Sequence, residues 1–364
     1  MSLIKIRLTQ FIIVVSLVLI SDYIFTKRNG NEYIVKKESA YRIRHDIFHH
    51  SLAPSFNGLG FWGGRAYKIC TDGNGFKSDC DHIHKSIKIF DVGFMGDSFT
   101  EAIGLPYENS FVGMFAKSKA DLEVANLGVS SYSPTIYRAK IEHLLRKGFF
   151  FNHLVIFIDI SDIQNETMYF RDKNGAIYST ADKANNETTE SRNWLSELKF
   201  FFKNNFALSA NLLRKIRSLL IDHKNKSPTE TDYSDWTYNK SSAAFGNLGV
   251  DGAIEKAVRE MELLYEVLKS KDIKLSIGVY PWPTQLKEMA TNNSDANLQV
   301  DIWRAFCATR CENFVNMFPA YFKLIKASSV DDVYRTHFIT GDVHYNFQGN
   351  RLIHEALLEL NLVE

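Results

Sequence analysis

From residue 86 onward the apolar positions follow two rhythms. "SIKIFDVGFMG" is a β-type run ending at Gly96, and "DLEVANLGVSS" is a second, ending at Gly128 and two serines. "SPTIYRAKIEHLLRKG" then carries apolar residues at helical spacing, with Ser133 as N-cap, Pro134 in the first turn and Gly148 as the stop. "HLVIFIDIS" is a third strand, apolar enough to be buried on both faces. Strand, helix and strand at this spacing form a βαβ unit and hence a parallel sheet. After residue 248 the alternation resumes. "DGAIEKAVREMELLYEVLKSKD" predicts a long helix, "IKLSIGVYPWP" a fourth strand stopped by Pro281 and Pro283, "LQVDIWRAFCATRC" a helix, "NFVNMFP" a fifth strand and "RLIHEALLEL" a closing helix. The expected fold is α/β: a three-layer α/β/α sandwich around a five-stranded parallel sheet of flavodoxin-like character.

Two stretches break this pattern. Residues 31–85 are polar and punctuated by Gly and Pro, and read as a loop-rich N-terminal extension. Residues 165–245 interrupt the main domain, 86–364, with polar runs around "WLSELKFFFKNNFALSANLLRKIRSLL", which has helical periodicity and a basic face. We expect an insertion laying one or two helices over the sheet, although a basic amphipathic helix also suits a membrane surface.

The first thirty residues stand apart. Lys5 and Arg7 precede "FIIVVSLVLI", and the apolar character runs from Leu8 to Phe25, interrupted near its outer end by Ser21 and Asp22. As a helix this run is about 27 Å long, near the lower limit for a membrane span. No small-x-small cleavage site follows, so an uncleaved signal anchor over residues 1–30 is expected. It would hold the remaining chain outside the cytoplasm, in the periplasm or at the cell surface. Lys27, Arg28, Lys36 and Lys37 lie on the other flank, which leaves little positive-inside bias.

Four cysteines fit that compartment. Cys70 and Cys80 flank the turn-rich "CTDGNGFKSDC", and Cys307 and Cys311 share "CATRC". An even, paired count beside an export signal suggests two disulfides. A pair four apart in a regular helix fits disulfide geometry poorly, so the helix must bend or end there. Neither pair has C-x-x-C spacing and no His pair flanks them, so no metal site is expected.

Composition adds three points. A formal net charge of +1 gives no reason to expect nucleic acid as a partner. Twenty-seven Phe and sixteen Tyr are many for this length; some belong to the core, and a polysaccharide groove would also use them. No Walker, dinucleotide or zinc motif is present, so no cofactor is expected.

The candidate chemistry starts in "VGFMGDSFTEAIG", residues 92–104. Ser98 followed by Glu101 fits an S-x-x-E capping box. It equally fits a nucleophile at the carboxyl end of a strand, where open α/β sheets put their ligands. Asp97 beside a helix start stabilises the turn electrostatically. A serine nucleophile needs a base and a group to orient that base. "GDVHYN" supplies Asp342 and His344, which in an extended segment point to the same side. Acyl transfer also needs oxyanion donors, for which the Ser98 and Gly128 backbone N–H groups are candidates. Trp62, Tyr132 and Trp282 are candidates for stacking on sugar rings or for core and rim roles, and His50 for approaching the site.

These blocks resemble the SGNH/GDSL hydrolase superfamily. "GDSF" matches its first block, which implies Ser98 as nucleophile, and the Gly of "NLGVSSYSP" matches the second, which implies Gly128 as oxyanion donor. The last block usually reads D-x-x-H; here it is D-x-H, Asp342-Val343-His344, which resembles the alginate-acetylating branch and related exported proteins of polysaccharide gene clusters. "IDISDIQNE" falls where the third block, G-x-N-D, belongs. Aligning Asp162 with its Asp puts Ser161 in place of the oxyanion Asn, with Asn165 as a further candidate. The resemblance covers residues 86–360 apart from the insertion. It implies a serine esterase or O-acyltransferase acting on acetylated cell-surface carbohydrate, tethered to the membrane, with no cofactor. The alternative is a catalytically inactive, membrane-tethered scaffold or carbohydrate-binding protein on the same fold, favoured by the missing third-block Asn.

Overall fold

The computed structural model describes residues 3–33, 38–180, 182, 198, 201–202, 205–222, 238–240, 242–360 and 362. The chain opens with a long helix, α1 (Leu3–Tyr33), whose residues from Phe11 to Leu17 are exposed and apolar apart from Ser16. Its stretch Thr9–Arg28 is long and apolar enough to cross a membrane, with a mean hydropathy of 1.8.

Two hairpins follow where the sequence reads as loop: β1 (Arg42–His45) with β2 (His49–Leu52), and β3 (Asn57–Trp62) with β4 (Arg65–Cys70). "RIRH", "HHSL" and "NGLGFW" lack the β-branched alternation that marks a strand, which is why they read as irregular. The hairpins are stabilised by burying side chains against the main domain, including Tyr41, Leu52 and Ile69.

The central sheet contains β5 (Ile89–Met95), β6 (Val124–Asn126) and β7 (Phe150–Phe157). A small antiparallel hairpin, β8 (Tyr169–Arg171) and β9 (Ile177–Ser179), precedes the last two central strands, β10 (Lys274–Val279) and β11 (Asn313–Asn316). All central pairings are parallel, and the order is β6-β5-β7-β10-β11. That is the 2-1-3-4-5 order of flavodoxin-like sheets. In β7 the consecutive residues Leu154, Val155, Ile156 and Phe157 are all fully buried, so both faces of the sheet are covered. Helices Phe111–Ser118 and Phe347–Leu358 pack on one another, as do Pro134–Arg146 and Gly249–Lys269. The three-layer α/β/α sandwich expected from the sequence is the fold observed.

The inserted helix departs from expectation. Ala207–Asp222 packs on α1, not over the sheet. Its buried residues Ala207 and Ala210 are small, and α1 supplies the partners. The polar runs at 183–197 and 223–237 lie outside the described residues.

Both cysteine pairs are bridged, Cys70–Cys80 and Cys307–Cys311. Helix Leu298–Cys307 stops at Cys307, and the chain turns so that Cys311 Cα comes within 4.7 Å of Cys307 Cα. The helix therefore ends where the bridge requires it to.

Candidate active site

The order 2-1-3-4-5 places a topological switch between β5 and β7, and the chain leaves both strands there through an Asp and a Ser. After β5 the chain passes Gly96, where a Cβ would lie 2.1 Å from Thr100 Oγ1, so only glycine fits the turn. Asp97 then caps the short helix Ser98–Glu101, its carboxylate accepting from Phe99 N–H at 2.9 Å. Ser98 is thus the first helical residue rather than the cap. Glu101 does not close a capping box either. Arg42 of β1 holds it by two hydrogen bonds of 2.8 Å, and it accepts from Ser130 N–H at 2.8 Å. The capping-box reading of Ser98 and Glu101 is corrected on both counts, and the serine hydroxyl makes no cap bond.

That hydroxyl lies 2.8 Å from His344 Nε2. His344 Nδ1 lies 2.5 Å from Asp342 Oδ1, and the same oxygen accepts from His344 backbone N–H at 3.0 Å. The network fixes the tautomer: Nδ1–H donates to the carboxylate, and Nε2 accepts from serine. Burial raises the Asp342 carboxyl, but the hydrogen bonds and charge of His344 outweigh it and hold the carboxyl below its usual range. Tyr334 fastens the loop, its hydroxyl donating to Asp342 O and accepting from Asp342 N–H, each at 2.9 Å. The imidazole sits between two rings, Phe99 at 4.8 Å and Trp62 edge-on at 5.4 Å. Ser98, His344 and Asp342 are each less than a tenth exposed.

Behind the serine lies a pocket of acids. Asp97, Asp159 and Asp162 offer oxygens within 4.8 Å of one another. Burial pushes all three carboxyls up, and mutual repulsion takes Asp159 to about 8 and Asp162 well above its ordinary value. Burial and mutual repulsion thus both favour the neutral form of Asp159. Asp97 Oδ2 is a second acceptor for the Ser98 hydroxyl at 3.2 Å, longer than the contact to His344.

The three proposed oxyanion donors are placed differently. The Ser98 backbone N–H has no acceptor among the described residues and sits at the start of a helix. The Gly128 N–H donates to Asn126 Oδ1 at 3.0 Å, so it is committed elsewhere. Gly128 is required for packing, since a Cβ there would come within 2.7 Å of Glu101 N and Thr100 Cβ. The Ser161 hydroxyl faces Asp159 Oδ1 at 2.6 Å and Asp97 Oδ2 at 3.1 Å, away from an oxyanion role. It points there because Asp159 and Asp162 form a full capping box on helix Ile160–Asn165, which draws the hydroxyl toward the Asp159 carboxyl. Asn165 ends that helix and is buried.

The aromatic candidates also separate. Trp282 is buried and its indole N–H donates to Asp159 Oδ2 at 2.7 Å; Tyr132 is buried and its hydroxyl donates to His50 O at 2.7 Å. Neither has a face free for sugar. Of the three, Trp62 is the one against the His344 ring, through the tip of the β3–β4 hairpin. His50 bonds Ser130 O at 2.8 Å and does not join Ser98. Sequence reading missed Arg42, Phe99 and Tyr280, whose hydroxyl lies 3.4 Å from Asp97 Oδ1. Arg42 gives no sequence signal, because its partner Glu101 is fifty-nine positions away.

No protein-family model matches the chain, and no curated protein matches it. Solved structures are similar to it at low identity. A member of the lipolytic protein G-D-S-L family from Veillonella parvula DSM 2008 is 14% identical over 74% of this chain and 96% of its own, with a TM-score of 0.39. A putative lipolytic protein of the G-D-S-L family from Desulfitobacterium hafniense DCB-2 is 12% identical over 74% and 97%, with a TM-score of 0.36. A catalytic mutant of an acetylxylan esterase from Geobacillus stearothermophilus is 11% identical over 77% and 98%, with a TM-score of 0.40.

Proposed function

We propose that the chain is a serine esterase or O-acyltransferase of the SGNH/GDSL type, acting on acetylated carbohydrate outside the cytoplasm and tethered by α1. One observation carries this reading: an uninterrupted line from Ser98 Oγ through His344 to Asp342, at the carboxyl ends of a parallel sheet. Ser98 Oγ attacks the ester carbonyl while His344 Nε2 takes its proton, and Asp342 holds the imidazole and stabilises its charged form. The carbonyl oxygen, now negative, takes the Ser98 N–H. His344 returns the proton to the leaving alcohol, which departs and leaves an acyl-serine. Water or a sugar hydroxyl then attacks the acyl-serine by the same relay in reverse, which gives hydrolysis or transfer.

The test uses the full chain in detergent. A fluorophosphonate probe should label Ser98, and Ser98→Ala should abolish both labelling and hydrolysis of p-nitrophenyl acetate while the chain stays folded. Acetate release and sugar acetylation, followed together on an acetylated polysaccharide with an acetyl donor, separate the two acceptors. An unlabelled, inactive wild-type chain would favour the scaffold reading. An unchanged rate in Ser98→Ala would end the serine mechanism.

A further inference from the structure

An aspartate inside an apolar membrane-type helix is costly unless it is paired. Asp22 lies within the Thr9–Arg28 stretch of α1, yet it is buried and fully engaged. Its two oxygens accept from Leu208 N–H at 3.0 Å and Ser209 N–H at 2.7 Å. Thr26, one turn on, accepts from Ala207 N–H at 2.8 Å and donates to Asp22 at 3.1 Å. These are the orphan amides of the inserted helix Ala207–Asp222, so α1 supplies the N-cap for a helix about 180 residues away. Tyr23 and Phe206 add a ring contact at 6.1 Å.

The capped helix has two unlike sides. Ala207 and Ala210 are buried, and small residues of this kind let backbones approach closely. Leu208, Leu212, Leu213 and Ile216 are exposed, at spacings that put them on one face. Geometry sets the depth of the helix's first turn. Asp22 is six residues before Arg28, about 9 Å along the helix from the end of the span. In-plane amphipathic helices lie about 5–10 Å into the boundary between headgroups and acyl chains. The charges agree. Lys27 and Arg28, both exposed, close the span, as suits the headgroup region.

We propose that the Ala207–Asp222 helix is a second membrane element, seating Leu208, Leu212, Leu213 and Ile216 in the lipid interface and clipped to the anchor through Asp22 and Thr26. The inference rests on α1 spanning a bilayer and not on the chemistry of Ser98. It gives the insertion a function: two points of contact with the membrane restrict how the domain can turn above it, where a single helix would act as a swivel.

The full chain is reconstituted in nanodiscs of phosphatidylethanolamine and phosphatidylglycerol, with an environment-sensitive NBD dye on one introduced cysteine. All four native cysteines are bridged, so the introduced thiol is the reactive one. A dye at Leu212→Cys should be blue-shifted and quenched by lipids spin-labelled near the headgroup. At Leu17→Cys it should be quenched by deep spin labels, and at Glu355→Cys by neither. Quenching at residue 17 without quenching at 212 overturns the inference while leaving the anchor intact. No quenching at 17 overturns both. Dye at 212 that self-quenches only in discs holding two copies assigns the face to a second chain, and dye shielded from lipid and aqueous quenchers alike assigns it to the domain; each result overturns the lipid assignment. Asp22→Ala should abolish shallow quenching at 212 and keep deep quenching at 17. Persistence at 212 would remove the clip.

Discussion

The turns after β5 and after β7 begin alike. Each leaves a buried parallel strand, each has an aspartate as N-cap, and each carries a serine in the first helical turn. They end differently. After β7, Asp159 and Asp162 cap their helix reciprocally, and Ser161 is drawn back onto Asp159. After β5, Asp97 caps alone: its box position is held by Thr100, which carries no carboxylate, and Glu101, one residue further on, is held by Arg42. Ser98 is then left for His344. The serine is thus left out of the capping because its neighbour Asp97 supplies the cap. A serine at a strand end is not by itself a reactive serine; what its neighbours do decides.

The largest effect that would sharpen this contrast is at the relay. Asp342→Asn keeps the shape but favours the wrong imidazole tautomer, and should lower turnover of p-nitrophenyl acetate by about 10⁴-fold. A loss of less than about tenfold would mean that Asp342 does not orient His344. Next comes the arginine. Arg42→Ala leaves Glu101 buried without its partner, which should cost about 3–5 kcal/mol in urea unfolding. A cost below about 1 kcal/mol would show that Glu101 finds another partner. The β7 turn should be nearly silent by comparison. Ser161→Ala should change turnover by less than about tenfold, whereas a loss of 10²–10³-fold would make Ser161 an oxyanion donor after all.

The smallest effect is in pH. A carboxyl whose pKa is higher folded than unfolded binds more protons when folded, so its contribution to stability is greatest in acid and fades as pH rises. For Asp159, raised by burial and then by Asp97 to about 8, the melting temperature should fall as pH climbs from about 4 to about 8. Asp159→Asn should flatten that slope, and an unchanged slope would show that its proton is held elsewhere. Asp342 runs the other way. Its carboxyl is held low, so its contribution stands above the ordinary carboxylate range and is lost only in stronger acid.

The five central strands were legible because β5, β7 and β10 are long apolar runs ended by Gly, Asp or Pro. The D-x-H spacing likewise put Asp342 and His344 on one side of a loop, where the structure has them in contact. The hairpins β1–β4 were not legible, because their stability comes from contacts with residues far along the chain. The direction of the Ser161 hydroxyl was hidden for a related reason. A block alignment gives its position, but the acids at 97 and 159 decide where it points. The insertion was read as helical, yet its partner was missed, since nothing local says that Asp22 and the amides of residues 208 and 209 will meet.

The Cys70–Cys80 bridge bears on how firmly the site is walled. Cys70 ends β4, and the far end of the same hairpin carries Trp62 against His344, with Gly63 packed on Ile339 of the histidine loop. A two-stranded hairpin alone is marginally stable in water. The bridge therefore adds a covalent brace at the base of a hairpin whose tip walls one face of the imidazole, opposite Phe99.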